Sequence, residues 1–255
     1  MKINNDKIIE CNRYNKRASS QLETGVTQKY ILGSELIPTV IRAPYLCYES
    51  FIKENILPCH DVLEIGSGTG MHTFCLVATG ANVTATDISG KSLEVIKKVF
   101  NNRVTLSIAD MEALPFESNS FDVVVSAGSL SYGEPSLVDS EIVRVLRPGG
   151  LFICVDSLNH NPIYRFNRWI HYKKGERSKS TLKYMPTLHR IKTLSGNFNS
   201  SSVKYFGSIS WVLQMLTPIF HQKKIAQISD FIDRLFRVRR SAFKFVLIAK
   251  NKIIS

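Results

Sequence analysis

Paired cysteines and long apolar runs are both absent from this sequence of 255 residues. Its five cysteines are scattered, odd in number and without disulfide or metal-ligand spacing, which favours free thiols in a reducing compartment and predicts no metal site. No window approaches the roughly 18 consecutive apolar residues of a membrane span. Residues 1–6 are polar, so no secretory signal is expected. These absences together predict a cytoplasmic protein.

Charge is unevenly distributed along the chain, whose formal net charge is +12. Residues 61–155 carry six Lys/Arg and eleven Asp/Glu, whereas residues 156–220 carry ten and two, and residues 221–255 carry nine and two. A basic segment is usually only a solvated face, but two adjoining ones predict an electropositive surface that attracts anions. The candidate partners are a phosphorylated substrate, an acidic glycan, an anionic lipid surface and nucleic acid.

The most informative motif is an apolar run that ends in Glu64 and is followed by glycines at 66, 68 and 70. It predicts a buried parallel strand that leads into a tight turn, with a helix over residues 71–79 whose first N–H groups would suit a carboxylate or phosphate. A dinucleotide fingerprint would need glycine or alanine at the sixth position of the loop, where Met71 stands. The remaining alternatives are a site for another nucleotide-like cofactor and a turn that serves packing alone.

A second strand, over residues 82–86, ends at Asp87, which follows Gly66 by 21 positions. An acidic residue at that distance and place accepts hydrogen bonds from ribose hydroxyls. The alternative is that Asp87 caps a helix over residues 92–100. Because Ser89 could cap that helix, the ribose role is favoured.

Three further strands are predicted over residues 104–109, 120–125 and 151–155. The third strand is followed by Asp-Met-Glu-Ala-Leu-Pro-Phe at residues 110–116, and the fourth by the small residues 126–129. A helix over residues 141–146 precedes Arg-Pro-Gly-Gly, which is interpreted as a helix stop and sharp return before the fifth strand.

These motifs, in this order, resemble those of the class I S-adenosylmethionine-dependent methyltransferases, in particular the methyltransferase type 11 domain family. The resemblance covers residues 60–156 strongly and the rest weakly. It implies an α/β, Rossmann-like doubly wound sheet of seven strands with an antiparallel last strand. Four regions follow: an N-terminal helical lid over 1–58, a cofactor-binding core over 59–156, a basic helical insertion over 157–202 and a completion of the sheet over 203–255.

The resemblance also implies S-adenosyl-L-methionine as the cofactor and a set of residues that bind it. In the family, the residue at Asp110 contacts the adenine amino group and the next one packs on the ring, although Met111 taken alone would be interpreted as core filling. The loop after the fourth strand holds the methionyl part. The predicted cofactor-binding residues are Glu64, Gly66, Ser67, Gly68, Gly70, Asp87, Ile88, Asp110, Met111, Ala127 and Gly128.

Methyl transfer is an in-line displacement, and an alcohol acceptor also has to lose a proton, often to histidine. His160 follows the fifth strand closely and is the first candidate for the base, with His171 second; the alternative for both is a hydrogen-bonding role. His72 is expected to pack beside the cofactor loop. The small residues at 126–129 argue against a carboxylate catalyst and against methylation of a nucleic-acid base.

Substrate recognition is predicted in the basic insertion, which resembles the substrate part of methyltransferases associated with bacterial surface polysaccharides. Arginines with interleaved aromatic residues suit a sugar that bears a carboxylate or phosphate. The predicted substrate-binding residues are Tyr132, Tyr164, Arg165 and Arg168.

The sequence therefore predicts O-methylation of a sugar hydroxyl on a glycan or on its lipid- or nucleotide-linked precursor. The alternatives are a methyltransferase for another small-molecule or lipid acceptor, and a non-catalytic module that keeps the cofactor fold. The predicted location is cytoplasmic, with possible peripheral contact to an anionic membrane at its inner face. Nucleic acid is not an expected partner, and the oligomeric state is left open.

Overall fold

The computed structural model describes residues 5–25, 33–35, 37–175, 177–207 and 239–251, together with residues 227, 228 and 231. The sequence pattern also predicts helices over residues 211–216 and 225–236; the first lies outside the described residues, and so does most of the second. The strands are β1 (Asp61–Ile65), β2 (Asn82–Asp87), β3 (Val104–Ile108), β4 (Phe121–Ala127), β5 (Leu146–Ser157), β6 (Ser200–Phe206) and β7 (Lys244–Lys250). The α-helices are α1 (Asn5–Glu23), α2 (Ala43–Asn55), α3 (Thr73–Val77), α4 (Gly90–Phe100), α5 (Pro135–Val145), α6 (Pro162–Lys173), α7 (Lys179–Lys183) and α8 (Leu188–Gly196).

The seven strands form one sheet in the order β3-β2-β1-β4-β5-β7-β6. Strands β1 to β5 pair in parallel, and β7 lies antiparallel between β5 and β6. The predicted Rossmann-like doubly wound sheet with an antiparallel last strand is confirmed. The strand order reverses between β1 and β4, and ligands of open α/β sheets bind at the carboxyl ends of the strands at such a point.

Alternating side chains of the strands build a core on each face of the sheet. Leu63 and Ile65 of β1 point into the cluster that contains helices α5 and α8, whereas Val62 points into the cluster that contains α2 and α4. This division follows from the period of two in a strand and from the apolar stripes of the helices. The covered sheet is a firm base for the loops at its carboxyl edge.

The Arg-Pro-Gly-Gly segment corrects the sequence prediction, because it belongs to β5 and is not a turn before it. The register between β4 and β5 shifts between Phe121 and Val123, so the extra residues are absorbed as an irregularity in the strand. Arg147 of this segment donates to Asp122 Oδ2 at 2.7 Å and to Asp61 Oδ2 at 2.9 Å. Arg147 thus ties the amino-terminal ends of three strands together at the edge opposite the predicted site.

Two regions that were only loosely defined by the sequence lie over the carboxyl edge or beside it. Helix α1 packs on α4, and helices α6 to α8 occupy the segment between β5 and β6. The sequence pattern predicts the last two strands over residues 203–206 and 241–249. Strand β6 begins at Ser200, three residues earlier, and β7 begins at Lys244, three residues later. Among the described residues, no helix combines the length and the apolar character that crossing a bilayer requires.

Candidate functional site

A cavity of about 710 Å³ opens at the carboxyl ends of the strands, beneath α1. Its wall near β1, β2 and β4 is formed by residues that the sequence predicted to bind a cofactor: Gly66, Ser67, Gly68, Asp87, Ile88, Asp110, Met111, Ala127 and Gly128. Two predicted members of that set, Glu64 and Gly70, lie outside the described lining.

The first two glycines of the turn after β1 differ in what surrounds them. Gly66 has φ +63°, and a Cβ there would lie 2.4 Å from Ser129 Cβ. Gly68 has φ +55°, but a Cβ there would meet nothing within 4 Å, because this residue borders the open cavity. Gly66 is therefore required by packing as well as by conformation, whereas Gly68 exposes its backbone to the cavity.

Glu64 lies below this turn and not in it. It is 2 % exposed, and its Oε2 accepts a 2.5 Å hydrogen bond from Thr73 Oγ1 at the start of α3. Burial raises the pKa of the Glu64 carboxyl to about 8. The predicted helix over 71–79 is reduced to the five residues of α3, so the predicted use of its amino terminus as an anion site has no support.

Asp87 stands at the end of β2 with both carboxylate oxygens oriented by backbone groups. Gly68 N donates to Oδ2 at 2.9 Å and Ser89 N donates to Oδ1 at 2.8 Å. Burial raises the pKa of the Asp87 carboxyl. Ser89, as expected, caps α4 by accepting from Ser92 N. Because Ser89 caps α4, the Asp87 carboxylate is available to hold the glycine turn and to face the cavity.

Asp110 lines the cavity beyond β3 and is also held from two sides. Its Oδ1 accepts from Glu112 N at 3.0 Å, and Lys7 Nζ of α1 lies 2.5 Å from Oδ2. Met111 beside it comes within 3.3 Å of the position that a Gly66 Cβ would take. The acidic residue and the methionine therefore meet the glycine turn at one place.

The loop after β4 is built from small residues because it lies directly over β1. Ser129 Oγ donates to Ile65 O at 3.0 Å and lies 2.7 Å from Ser126 Oγ. Gly128 has φ +74°, and its N–H donates to Val155 O at 2.8 Å. Ala127 and Gly128 consequently present backbone to the cavity.

Helix α1 covers the cavity through polar contacts at several points along its length. Tyr14 Oη donates to Tyr132 Oη at 2.7 Å, with the two rings edge to face, and Asn15 Oδ1 accepts from Ser89 Oγ at 2.7 Å. On its other side, Glu10 Oε1 accepts from Ser178 N at 3.0 Å and from Thr181 Oγ1 at 2.9 Å. Helix α1 therefore connects the cofactor loops to the segment that contains α7.

The remaining wall of the cavity carries chemistry that the sequence did not single out. It is lined by Tyr45, His72, Asp156, Ser157, Arg177, Met185 and Lys244. Asp156 directly follows the apolar run of β5, and Lys244 is a charged residue at the start of the apolar strand β7. Both residues could have been identified from the sequence as charges next to apolar runs. Tyr45, Arg177 and Met185 come from distant segments and had no such signal.

Comparison with known proteins agrees with this arrangement. The family described as "Methyltransferase domain" matches residues 63–154. The demethylmenaquinone methyltransferase of Clavibacter sepedonicus is 39 % identical over 108 residues, which are 41 % of this chain and 44 % of that protein. The sterol 4-C-methyltransferase strm-1 of Caenorhabditis elegans is 36 % identical over 148 residues, which are 54 % of this chain and 41 % of that protein.

Residues 63–154 belong to the methyltransferase domain family, and the sheet has the fold of the class I S-adenosylmethionine-dependent methyltransferases.

Solved structures extend the likeness of fold beyond the matched residues. A phosphoethanolamine N-methyltransferase 2 of Haemonchus contortus, in complex with phosphomonomethylethanolamine and S-adenosylhomocysteine, aligns with TM-score 0.58 and 18 % identity over 82 % of this chain and 53 % of that one. The YcgJ protein of Bacillus subtilis aligns with TM-score 0.55 and 18 % identity over 83 % of this chain and 100 % of that one. This chain spans somewhat less than half the length of the two curated relatives named above.

The cofactor of the methyltransferase domain is S-adenosyl-L-methionine, and the residues of the first wall fit it. Gly68 leaves open space where a side chain would stand, and no described residue makes a hydrogen bond to the buried Ser67 Oγ. The carboxylates of Asp87 and Asp110 provide acceptors for hydroxyl and amino groups. The donor and acceptor character of this wall therefore suits an adenosine.

The structure does not bring the two predicted catalytic histidines to the cavity of the methyltransferase domain. His160 lies outside the described lining, and its Nε2 accepts a 2.8 Å hydrogen bond from Leu188 N. Burial, together with Arg240 and Arg165, lowers the pKa of His160. His171, on α6, also lies outside the lining.

The four predicted substrate-binding residues differ in whether they line the cavity. Tyr132 lines the cavity, but Tyr164, Arg165 and Arg168 do not. Arg168 is 6 % exposed and donates to Leu158 O at 3.0 Å, and burial lowers its pKa to about 10. Tyr164 packs on Phe243 with ring centroids 4.5 Å apart. Tyr164 and Arg168 thus attach α6 to residues beside β7 and β5, Arg165 is exposed, and none of the three lines the cavity.

His72 is the histidine that lines the cavity. It is 7 % exposed, stacks on Tyr45 with ring centroids 5.3 Å apart, and directs Nδ1 towards Glu49 Oε1 at 3.7 Å. Glu49 is itself held by Ser34, whose N–H donates at 3.0 Å and whose Oγ donates at 2.7 Å. The Glu49 carboxylate therefore lies beside the imidazole at more than hydrogen-bond distance, and no described residue makes a hydrogen bond to His72 Nδ1.

Proposed function

We propose that this protein transfers the methyl group of S-adenosyl-L-methionine to a small-molecule acceptor. The observation that carries the proposal is that one cavity joins the glycine turn, Asp87 and Asp110 on one wall to ionisable and aromatic side chains on the other. When bound, the cofactor supplies an electrophilic methyl group. The protein's part is to hold the acceptor close and aligned and to exclude water.

The cofactor would be held by the residues already described. Asp87 would accept from the ribose hydroxyls, Asp110 from the adenine amino group, and Met111 would pack on the ring. The backbone of Ala127 and Gly128 would border the methionyl part. These roles extend the predicted assignments to a cavity whose wall contains all five residues.

For the acceptor we propose a sugar hydroxyl on a glycan or on a lipid- or nucleotide-linked precursor. Three tyrosine rings, Tyr14, Tyr45 and Tyr132, border the cavity beside polar groups, a combination that suits the faces and hydroxyls of a pyranose. A second candidate is a quinone-like or other lipid acceptor. It is favoured by the sequence relatives, whose names refer to demethylmenaquinone and sterol methylation.

An oxygen acceptor requires a route for its proton, and His72 is placed to provide it. Its imidazole borders the cavity, and Glu49 Oε1 lies 3.7 Å from its Nδ1. In this proposal His72 takes the place of His160 and His171 as the base, with Glu49 as a positioning residue.

The four regions of the chain take distinct roles in the proposal. Residues 1–58 act as the lid, residues 59–156 as the cofactor-binding core, residues 157–202 as the acceptor region and residues 203–255 as the completion of the sheet. The contacts of Glu10 and Tyr14 with residues of the other regions support the lid. Contact with an anionic membrane is part of the proposal and is argued from α6 below.

The test is release of S-adenosylhomocysteine from a panel of acceptors: uronic acids and phosphorylated sugars, a demethylated quinol, a sterol and phosphoethanolamine. Turnover with a sugar supports the first proposal, whereas turnover confined to the quinol or sterol supports the second. Cofactor binding without any turnover supports the non-catalytic module, and absence of cofactor binding contradicts all three.

A matched pair of histidine variants tests the base. His72→Gln is expected to lower turnover of an alcohol acceptor by roughly 10²–10⁴-fold while the affinity for S-adenosylhomocysteine stays unchanged. His160→Gln is the control and is expected to leave turnover unchanged, because His160 holds Leu188 and not the acceptor. Equal turnover of the two variants would contradict the assignment.

A further inference from the structure

Lys244 is a buried cation in the acceptor wall of the cavity. It is 5 % exposed, and its Nζ donates to Ser157 Oγ at 3.3 Å. The Nζ atom also lies 4.9 Å from the ring centroid of Tyr45 and 5.4 Å from that of Phe243. An ammonium group has three N–H donors, so this environment leaves donors of Lys244 without an acceptor.

Buried ammonium groups are normally paired with an acid, because an unpaired charge away from water is costly. No carboxylate of the described residues lies within ion-pair distance of Lys244. Asp156 is the acid whose charge interacts with Lys244 across the wall. Its two oxygens already accept hydrogen bonds from Leu130 N at 2.9 Å and Ser157 N at 2.6 Å. Lys244 therefore has a fixed position and N–H donors with which it can bind an anion.

Other cations border the same side of the cavity. Arg177 lines it and has no ion pair within the described part of the chain, and the exposed Arg17 of α1 lines it as well. The cofactor of the domain carries a positive sulfonium, so it does not call for this additional positive charge. Strand β7 is two strands from β4, which places Lys244 about 10 Å from the loop over which the methionyl part would lie.

We propose that Lys244, Ser157 and Arg177 form a subsite for an anionic group of the acceptor, a carboxylate or a phosphate. The inference rests on the function proposed above and narrows its acceptor class. Ser157 and Lys244 form one paired position between β5 and β7, so the subsite is built on the sheet and is rigid. Arg177 supplies the planar donors that carboxylates and phosphates accept in pairs.

The test titrates inorganic phosphate and acetate into the full chain saturated with S-adenosylhomocysteine, with calorimetry and thermal shift as readouts. One of the two anions is expected to bind. Binding of phosphate would indicate a phosphorylated acceptor, and binding of acetate would indicate a carboxylate acceptor. Lys244→Met is expected to weaken that binding at least tenfold, while Lys250→Met, on the exposed end of the same strand, leaves it unchanged.

The affinity for S-adenosylhomocysteine is measured in every variant. If wild-type protein does not bind it, the proposed function fails; if it binds but neither anion does, or if Lys244→Met binds anions as wild type does, the subsite is overturned. A loss of S-adenosylhomocysteine affinity in Lys244→Met would also overturn it, because the lysine would then serve the cofactor. Should Lys244→Met not fold, Arg177→Met carries the same expectations.

A second and independent inference comes from helix α6, whose outer face is apolar and exposed. Ile163, Phe166 and Trp169 are 41 %, 62 % and 48 % exposed, and the last two stack with ring centroids 5.8 Å apart. Their spacing of three residues places them along one side of the helix. The sequence had suggested an amphipathic helix here, and the structure leaves its apolar side uncovered by the described residues.

Positive charge frames this apolar face. Residues 157–175 contain no acidic residue, and Arg165, Lys173 and Lys174 are exposed. Lys173 Nζ lies 5.6 Å from the centroid of the Trp169 ring, so the cation and the aromatic ring occupy one surface. Large apolar side chains bordered by lysine and arginine are the pattern of helices that lie in the interface of an anionic bilayer.

The geometry points to α6 as a docking surface for an anionic lipid bilayer. The probe is a vesicle of phosphatidylcholine, with or without phosphatidylglycerol. In a Trp211→Phe background Trp169 is the only tryptophan, so a blue shift of its emission reports its burial. We expect the shift and co-sedimentation with the anionic vesicles only, and we expect both to weaken at high salt.

Phe166→Ser combined with Ile163→Ser is expected to abolish vesicle binding. Leu137→Ser, an equally exposed apolar residue on α5, is the control and should leave binding intact. An unchanged Trp169 emission, or equal binding to neutral vesicles, overturns the inference. So does a dimer in sedimentation that the double variant converts to monomer, because a second copy would then cover this face.

Discussion

The two walls of the cavity differ in how their residues are arranged along the sequence. The cofactor wall is formed by short motifs, each at the end of a parallel strand, within residues 66–128. The acceptor wall combines Tyr45, His72, Ser157, Arg177 and Lys244, which come from α2, the start of α3, β5, the approach to α7, and β7. Residues that lie in local motifs can be predicted from the sequence. Residues that come together from distant segments can be identified only when the fold is known.

The walls also differ in charge. Asp87 and Asp110 face the cofactor side, where Lys7 pairs with Asp110, whereas Lys244 and Arg177 accompany Asp156 on the acceptor side. The acceptor side therefore carries more positive charge than the cofactor side. Substitutions at the glycine turn, at Asp87 and in the insertion test how far cofactor binding depends on the first wall alone.

Gly66→Ala should be the most damaging change in the cofactor wall. The new Cβ would lie 2.4 Å from Ser129 Cβ at a positive φ, so strain and overlap together should cost about 2–5 kcal/mol. The matched control is Gly175→Ala, where φ is +73° and a Cβ meets nothing within 4 Å. Calorimetric binding of S-adenosylmethionine should be lost only in the first variant, and equal losses would contradict the packing argument.

Glu64→Gln should change how stability depends on pH. The folded-state pKa of Glu64, about 8, lies above its usual value of 4.5, so stability is lost as pH rises from about 4.5 to 8. The loss is at most about 1.4 kcal/mol per pH unit. Glutamine cannot ionise, so denaturant unfolding of the variant should show a flatter pH dependence. Parallel curves for wild type and variant would show that Glu64 ionises normally.

Asp87→Ala should weaken binding of S-adenosylmethionine by about 1.5–3 kcal/mol, the range for hydrogen bonds to a charged group. Glu94→Ala is the control, because Glu94 is half exposed on the neighbouring α4 and pairs with Lys91 there. If calorimetry shows that a folded Asp87→Ala protein binds the cofactor as tightly as the wild type does, Asp87 does not bind the ribose.

Arg168→Met should lower stability and leave ligand affinity unchanged. The side chain donates to Leu158 O and Asn159 Oδ1, so its loss should cost about 1–2 kcal/mol of unfolding free energy. Arg165→Met, at an exposed position of the same helix, should change it by less than about 0.5 kcal/mol. A rise in acceptor KM in Arg168→Met without loss of stability would restore its predicted role in substrate binding.

The sequence was sufficient for the five parallel strands and the motifs at their ends, because parallel strands with covered faces produce continuous apolar runs that end at glycine or acidic residues. The doubly wound sheet with its antiparallel last strand followed from the family resemblance, and the strand order required the structure. It was misleading at Arg147, where a helix-stop motif continues as strand and the arginine pairs with Asp61 and Asp122. These partners are distant in the sequence and give no local signal.

The acceptor wall could not be derived in the same way. His160 and Arg168 have the right residue types near the right strand, but which way each side chain turns depends on backbone groups of Leu188 and Leu158. His72 was visible beside the glycine turn, yet its importance depends on Glu49 and Tyr45 of α2. Contacts between separate helices carry no signal in sequence spacing.

A crystal structure with S-adenosylhomocysteine bound is the most direct test of the division into two walls. The account predicts adenosine between Asp87 and Asp110 and over the glycine turn, with no contact between Lys244 and the bound molecule. An adenosine that lies elsewhere in the cavity, or a homocysteine carboxylate bound to Lys244, would contradict it.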